Sequence, residues 1–154
     1  ASGLVANMAR RPQGNDRAQA KGIFEGQCDV AVMNHYYFGK MMYGDKPEQR
    51  DWADAIRLVF TNQDGRGNHV NISGGGVARH SPNRENAVRF LEFLTQPTAQ
   101  QLYGEVNFEY PVNPAVAPGG VLAGWGDFKP DDLPIQRLSD LAPQAQMIID
   151  RTAW

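Results

Sequence analysis

The spacing of apolar residues changes period repeatedly along the chain, and each change marks a predicted element. Ala20, Ile23 and Phe24 recur at i, i+3 and i+4, which predicts a helix opening near Asp16. Asn15 is suited to accept a bond from that helix's first free N–H groups, Asp16 suits its positive end, and Gly26 suits its close. Residues 29–33 (Asp-Val-Ala-Val-Met) show no alternation of polarity, the pattern of a central strand covered on both faces. Residues 34–42 read as a turn running into a short helix, and 47–54 as helical. A second strand is expected over 56–60, ended by the turn Asn62-Gln63-Asp64-Gly65.

Short strands are expected over 70–72 and 77–79. Ser81-Pro82 then opens a helix with Ala87, Val88, Leu91 and Leu94 as its buried stripe. Pro97 starts another, with Ala99, Leu102 and Tyr103 inward and Gly104 at its end. Residues 106–112 read as extended, and a last helix over 143–152 carries Ala145, Ile148, Ile149 and Thr152 on one face. Helices alternating with unbroken apolar runs define an α/β layered fold with a central sheet flanked by helices.

Composition narrows the function classes. A content of 42% hydrophobic and 21% charged residues describes a globular chain. A formal net charge of −2, with no basic stripe, argues against a nucleic-acid partner. No apolar run approaches the roughly 20 residues that a membrane-spanning helix needs. The lone cysteine, Cys28, has no intrachain disulfide partner and is expected at a strand start, buried and inert. Residues 1–9 form an apolar, helix-like opening ahead of Arg10-Arg11-Pro12, without the preceding positive charge of a signal peptide. That start reads as the interior of a longer chain.

Tyr36-Tyr37 is the most informative chemistry. The pair follows the first strand and sits at the head of a helix, where open α/β sheets bind ligands. Neighbours on a helix diverge by about 100°, so two adjacent phenols converge only where the backbone bends. Phenolates are hard oxygen donors and match a hard cation such as Fe(III). The metal has to displace protons from groups of pKa near 10, so binding weakens as pH falls. On these residues alone, aromatic packing at a helix start outweighs the metal reading. His35 is expected to face solvent or a hydrogen-bond partner, and Met41-Met42 to pack.

The wider pattern favours the metal. Gln13-Gly14-Asn15-Asp16, Gln19, the Asp29-Val30-Ala31-Val32 strand and Asn34-His35-Tyr36-Tyr37 resemble the ferric-ion-binding proteins of bacterial ABC importers. His69-Val70-Asn71-Ile72-Ser73-Gly74, the block 87–94, Val106-Asn107-Phe108-Glu109-Tyr110-Pro111-Val112 and a terminal amphipathic helix closing on Trp154 resemble the same family in the same order.

The resemblance implies the C-terminal half of a two-lobed, class II periplasmic-binding-protein fold. Residues 1–66 and 118–154 then form the C-terminal lobe, and 67–117 cross to pack on the N-terminal lobe. It implies Tyr36 and Tyr37 as metal ligands, with Asn34 and Asn15 placed to hold a synergistic anion or to stand behind the ligands. It also implies Fe(III) as cargo, periplasmic location, and a membrane permease as partner. The remaining half, or a swapped second copy, is expected to complete the fold. The alternatives are a solute-binding protein for a small anion or organic ligand and, ranked lower, an enzyme. No nucleophile with a base and no cofactor fingerprint is legible.

Overall fold

A computed structural model describes all 154 residues. Its elements are α1 (Ser2–Ala6), α2 (Asp16–Phe24), α3 (His35–Met42), α4 (Pro47–Asp54), α5 (Arg84–Leu94) and α6 (Pro97–Leu102). A π-helical turn, Tyr103–Asn107, leads on to α7 (Gly120–Gly124) and α8 (Ile135–Thr152).

The boundaries of α2 follow from its sequence. The Asn15 side chain accepts the Ala18 N–H at 3.2 Å, satisfying one of the free donors of the first turn. At the other end Gly26 takes a left-handed φ of 70°. There its N–H donates to the Ile23 carbonyl and that of Gln27 to the Gly22 carbonyl, a Schellman closure that a residue with a Cβ forms less readily. Pro47 begins α4, where its missing N–H costs nothing.

Helices α2, α3 and α4 enclose the core. Ala20, Phe38, Met41, Ala53 and Ile56 are buried together, with Ile23, Met33, Trp52 and Trp125 packed around them. Phe108 comes back onto this core from the distant π-helical turn. Its own left-handed φ of 59° ends that turn and lays its ring against Gly39 of α3, where any Cβ would overlap it. A second junction ties residues 63–68 to 129–131. Asn68 donates its N–H to the Lys129 carbonyl at 2.8 Å, Asp131 donates to the Asn68 carbonyl at 2.7 Å, and Arg66 Nε bonds the Asp131 carboxylate at 2.6 Å.

Several expectations are corrected. The predicted strands at 29–33, 56–60, 70–72 and 77–79 form no ladder, and Asn68–Pro130 is the one β-bridge. Strand pairing needs a second row of N–H and C=O groups, and within this chain these segments do not meet one another. Val30 and Val32 are accordingly 83% and 91% exposed. Residues 106–112 are only partly extended, because Val106 and Asn107 belong to the π-helical turn. Helix α5 starts at Arg84, since Ser81-Pro82 is spent in a preceding turn, and none of its stripe is fully buried. Leu102 is exposed, not inward.

The last helix begins eight residues before Pro143, at Ile135, and carries that proline inside at the loss of one backbone bond. Cys28 is half-buried. No helix is long and apolar enough to cross a membrane.

The contact between Gly39 and Phe108 yields a test. Gly39→Ala should lower stability by about 1–3 kcal/mol, as overpacking does. Gly3→Ala, whose Cβ enters open space on α1, should not destabilise. Equilibrium urea unfolding of both variants checks the contrast.

Candidate metal centre

Phe38, Gly39 and Met41 bury one side of α3. That orientation leaves Tyr36, Tyr37 and, one turn later, Lys40 half-buried at the edge of the core. The helix starts abruptly at Asn34, whose backbone is extended (φ −72°, ψ 129°). Tyr36 and Tyr37 therefore occupy the first turn, where free N–H groups and the helix dipole favour negative charge. Their ring centroids lie 4.4 Å apart, with the planes inclined by 36°.

The Tyr37 ring is close enough to restrain the ionisation of Tyr36. The neighbouring Tyr37 hydroxyl has the largest of several effects that push Tyr36 up from 10.0 to about 12; burial and the negative charges of Asp16 and Glu109 add to it. A cation faces each ring. Arg17 Cζ stands 4.7 Å from the Tyr37 centroid and Lys40 Nζ 5.1 Å from that of Tyr36.

The two asparagines join the helix ends behind the phenols. Asn15 caps α2, as above. Asn34 donates both its backbone N–H (2.7 Å) and its side-chain Nδ2 (3.0 Å) to Asp16 Oδ1. The starts of α2 and α3 are thus stitched together by side chains.

His35 is packed and not turned to solvent. Its ring lies 5.3 Å from Tyr110, 5.9 Å from Trp125 and 6.2 Å from Tyr36. Burial lowers its pKa, outweighing the opposing backbone bond with Phe108 and the charge of Glu109. His35 Nε2 and the Tyr110 hydroxyl are both buried without a hydrogen-bond partner. Tyr110 is pushed up by burial and by Asp127.

The sequence-predicted residues Asn15, Asn34, Tyr36 and Tyr37 all fall at this junction of α2 and α3. Asp16, Arg17, Lys40 and Tyr110 were not singled out for the site. Lys40 was legible as the residue one helical turn after Tyr36, whereas Tyr110 reaches the site only through the fold. The chain gathers no three His, Cys, Asp or Glu side chains into a metal cluster.

No protein-family model matches the chain. Iron uptake protein A1 of Synechocystis is 40% identical over 154 residues, which is 100% of this chain and 43% of that protein. Among solved structures, Mannheimia haemolytica ferric iron-binding protein A in an open conformation superposes with a TM-score of 0.90 at 43% identity, over 99% of this chain and 47% of that one. The Trichodesmium IdiA/FutA protein in complex with iron and citrate ligands gives a TM-score of 0.92 at 43% identity, over 99% and 48%. The chain is homologous to ferric-iron-binding proteins. It has the fold of one half of such a periplasmic-binding protein, and it spans about half the length of the curated relatives it matches.

The influence of Tyr37 on Tyr36 is testable without metal. Phenolate absorbance from Tyr36 should develop near pH 12, and Tyr37→Phe should return it toward 10 by removing the neighbouring hydroxyl. A folded-state pKa above the unfolded one means that this stabilising contribution is present below pH ~10 and is lost as the pH rises toward about 12. Spectrophotometric pH titration of wild type and variant reads the shift.

Proposed function

We propose that the chain is the C-terminal half of a two-lobed periplasmic solute-binding protein that captures Fe(III) between its lobes. The observation that carries this reading is the pair of phenols 4.4 Å apart at the head of α3, in a chain 43% identical to a protein solved with iron and citrate ligands. Tyr36 and Tyr37 are the ligands this half supplies, as phenolates. The free N–H groups of the first turn, together with Arg17 and Lys40, favour their charge. Asn34 and Asn15 stand behind them and hold the two helix starts in place. The role is capture and delivery to the permease of an ABC importer, without catalysis, and an exogenous anion completes the ferric sphere where the protein leaves positions open.

The remaining ligands come from the other lobe. Residues 1–66 and 118–154 form the lobe described above, a reading supported by the junction of 63–68 with 129–131. Within residues 67–117, α5 packs on the other lobe, and its exposed Phe90 and Phe93, at 58% and 46%, are what that packing covers, while Phe108 and Tyr110 return to α3. The natural partner for these surfaces and for the unpaired segments is the remaining half of the protein, with exchange between two copies as the substitute in its absence.

Titration of the complete, iron-free protein with ferric nitrilotriacetate, followed in the visible, tests the assignment. A phenolate-to-iron charge-transfer band should grow to saturation, weaken in Tyr36→Phe or Tyr37→Phe, and vanish in the double variant. Affinity should fall as the pH falls, because each phenol must release its proton to the solvent. A band unchanged in the double variant would contradict the proposal.

A further inference from the structure

We propose that Gln100 is a positioning residue for the phenol pair: it locks residues 108–113 to the end of α5, and those residues hold α3 on both sides of Tyr36 and Tyr37. What this coupling serves rests on the ferric reading, while its measurement does not.

The hold on α3 has two points. His35 and Gly39 stand four residues apart, so they are neighbours on one face of the helix, with the phenols between them in sequence. At Gly39 the Phe108 ring fills the place that a Cβ would take. At His35 the Tyr110 ring packs with its centroid 5.3 Å away, backed in turn by Phe128 at 5.1 Å. The Tyr110 hydroxyl is buried without a hydrogen-bond partner, so its ring makes this contact. Phe108 keeps a left-handed φ of 59° to reach its notch, an uncommon conformation for a residue with a side chain. Rotation of the first turn of α3 would break both contacts at once.

The same segment is tied to α5 by a buried polar side chain. Gln100, in α6 and 6% exposed, accepts the Val112 N–H at its Oε1 (2.7 Å) and donates its Nε2 to the Leu94 carbonyl (2.6 Å). Leu94 is the last residue of α5. Asn113 doubles the link: its Nδ2 donates to the carbonyl of Thr95, the C-cap of α5, at 2.9 Å, and its Oδ1 accepts the Ala115 N–H at 2.9 Å. A buried amide bonded at both ends resists displacement, because leaving either group unpaired costs its full desolvation. The end of α5, Gln100, residues 108–113 and the head of α3 thus form one continuous path of packed and hydrogen-bonded groups. With α5 seated on the other lobe, a change in that lobe's position reaches the phenols along this path.

The test uses the complete, iron-free protein carrying fluorinated tyrosine, with the ¹⁹F resonances of Tyr36 and Tyr37 assigned through Tyr36→Phe and Tyr37→Phe. Gln100→Met keeps the bulk of the side chain and removes both bonds, and it should shift both resonances by more than a linewidth. Asn113→Ala should shift them by less, and it carries the test if the methionine variant fails to fold. Gln101→Met, at the exposed neighbouring position, should leave them in place. Unmoved resonances in a folded Gln100→Met or Asn113→Ala, or an equal shift in Gln101→Met, overturn the proposal.

No iron enters that measurement, so a missing ferric charge-transfer band would refute the cargo and leave the coupling readable. In the iron-loaded protein, Gln100→Met should raise the ferric Kd about fivefold or more. An unchanged Kd would overturn the role in capture.

Discussion

Burial of Phe38 and Met41 sets the rotation of α3, and the candidate site depends on that rotation. Each side chain contributes about 1.5–3 kcal/mol through removal from water, against Ala20, Ala53 and Ile56 on the neighbouring elements. Turning the helix by one residue would swing these groups out by about 100° and take the phenol pair with them. Phe108 reinforces the choice, since only a helix presenting Gly39 at that point admits its ring. The packing of three short helices thus decides where two oxygen atoms sit.

Electrostatics then separates the empty site from the occupied one. Tyr36, beside Tyr37, holds its proton up to about 12. Neutral tyrosines at a half-exposed edge are cheap to keep folded. In the proposed ferric complex a trivalent cation reverses the preference, because it displaces both protons and draws on charges already in place: the start of α3, with Arg17 and Lys40 against the ring faces. A site of this kind binds steeply with pH and discriminates in favour of hard, highly charged ions. Asp16 adds a fixed negative charge beside it, tied to Asn34.

Legibility in the sequence followed the range of the forces involved. The cap at Asn15, the close at Gly26 and the proline starts of α4 and α6 are local, and the structure has them where the residues indicate. The position of the tyrosines at a helix start was readable for the same reason. The runs at 29–33 and 56–60 carry strand composition, but composition does not supply a pairing partner, and Val30 and Val32 stay exposed. Pro143 looked like a helix start, yet α8 is set by the residues before it. The packing of His35 against Tyr110 and Trp125 joins residues remote in sequence, with no local signal to announce it.

The most direct measurement is an iron-edge anomalous difference map from crystals of the complete protein loaded with Fe(III). The account predicts a single strong peak in front of the first turn of α3, within bonding distance of the hydroxyl oxygens of both Tyr36 and Tyr37. A peak elsewhere, or one bonded to neither ring or to only one with the other turned into the core, would contradict it.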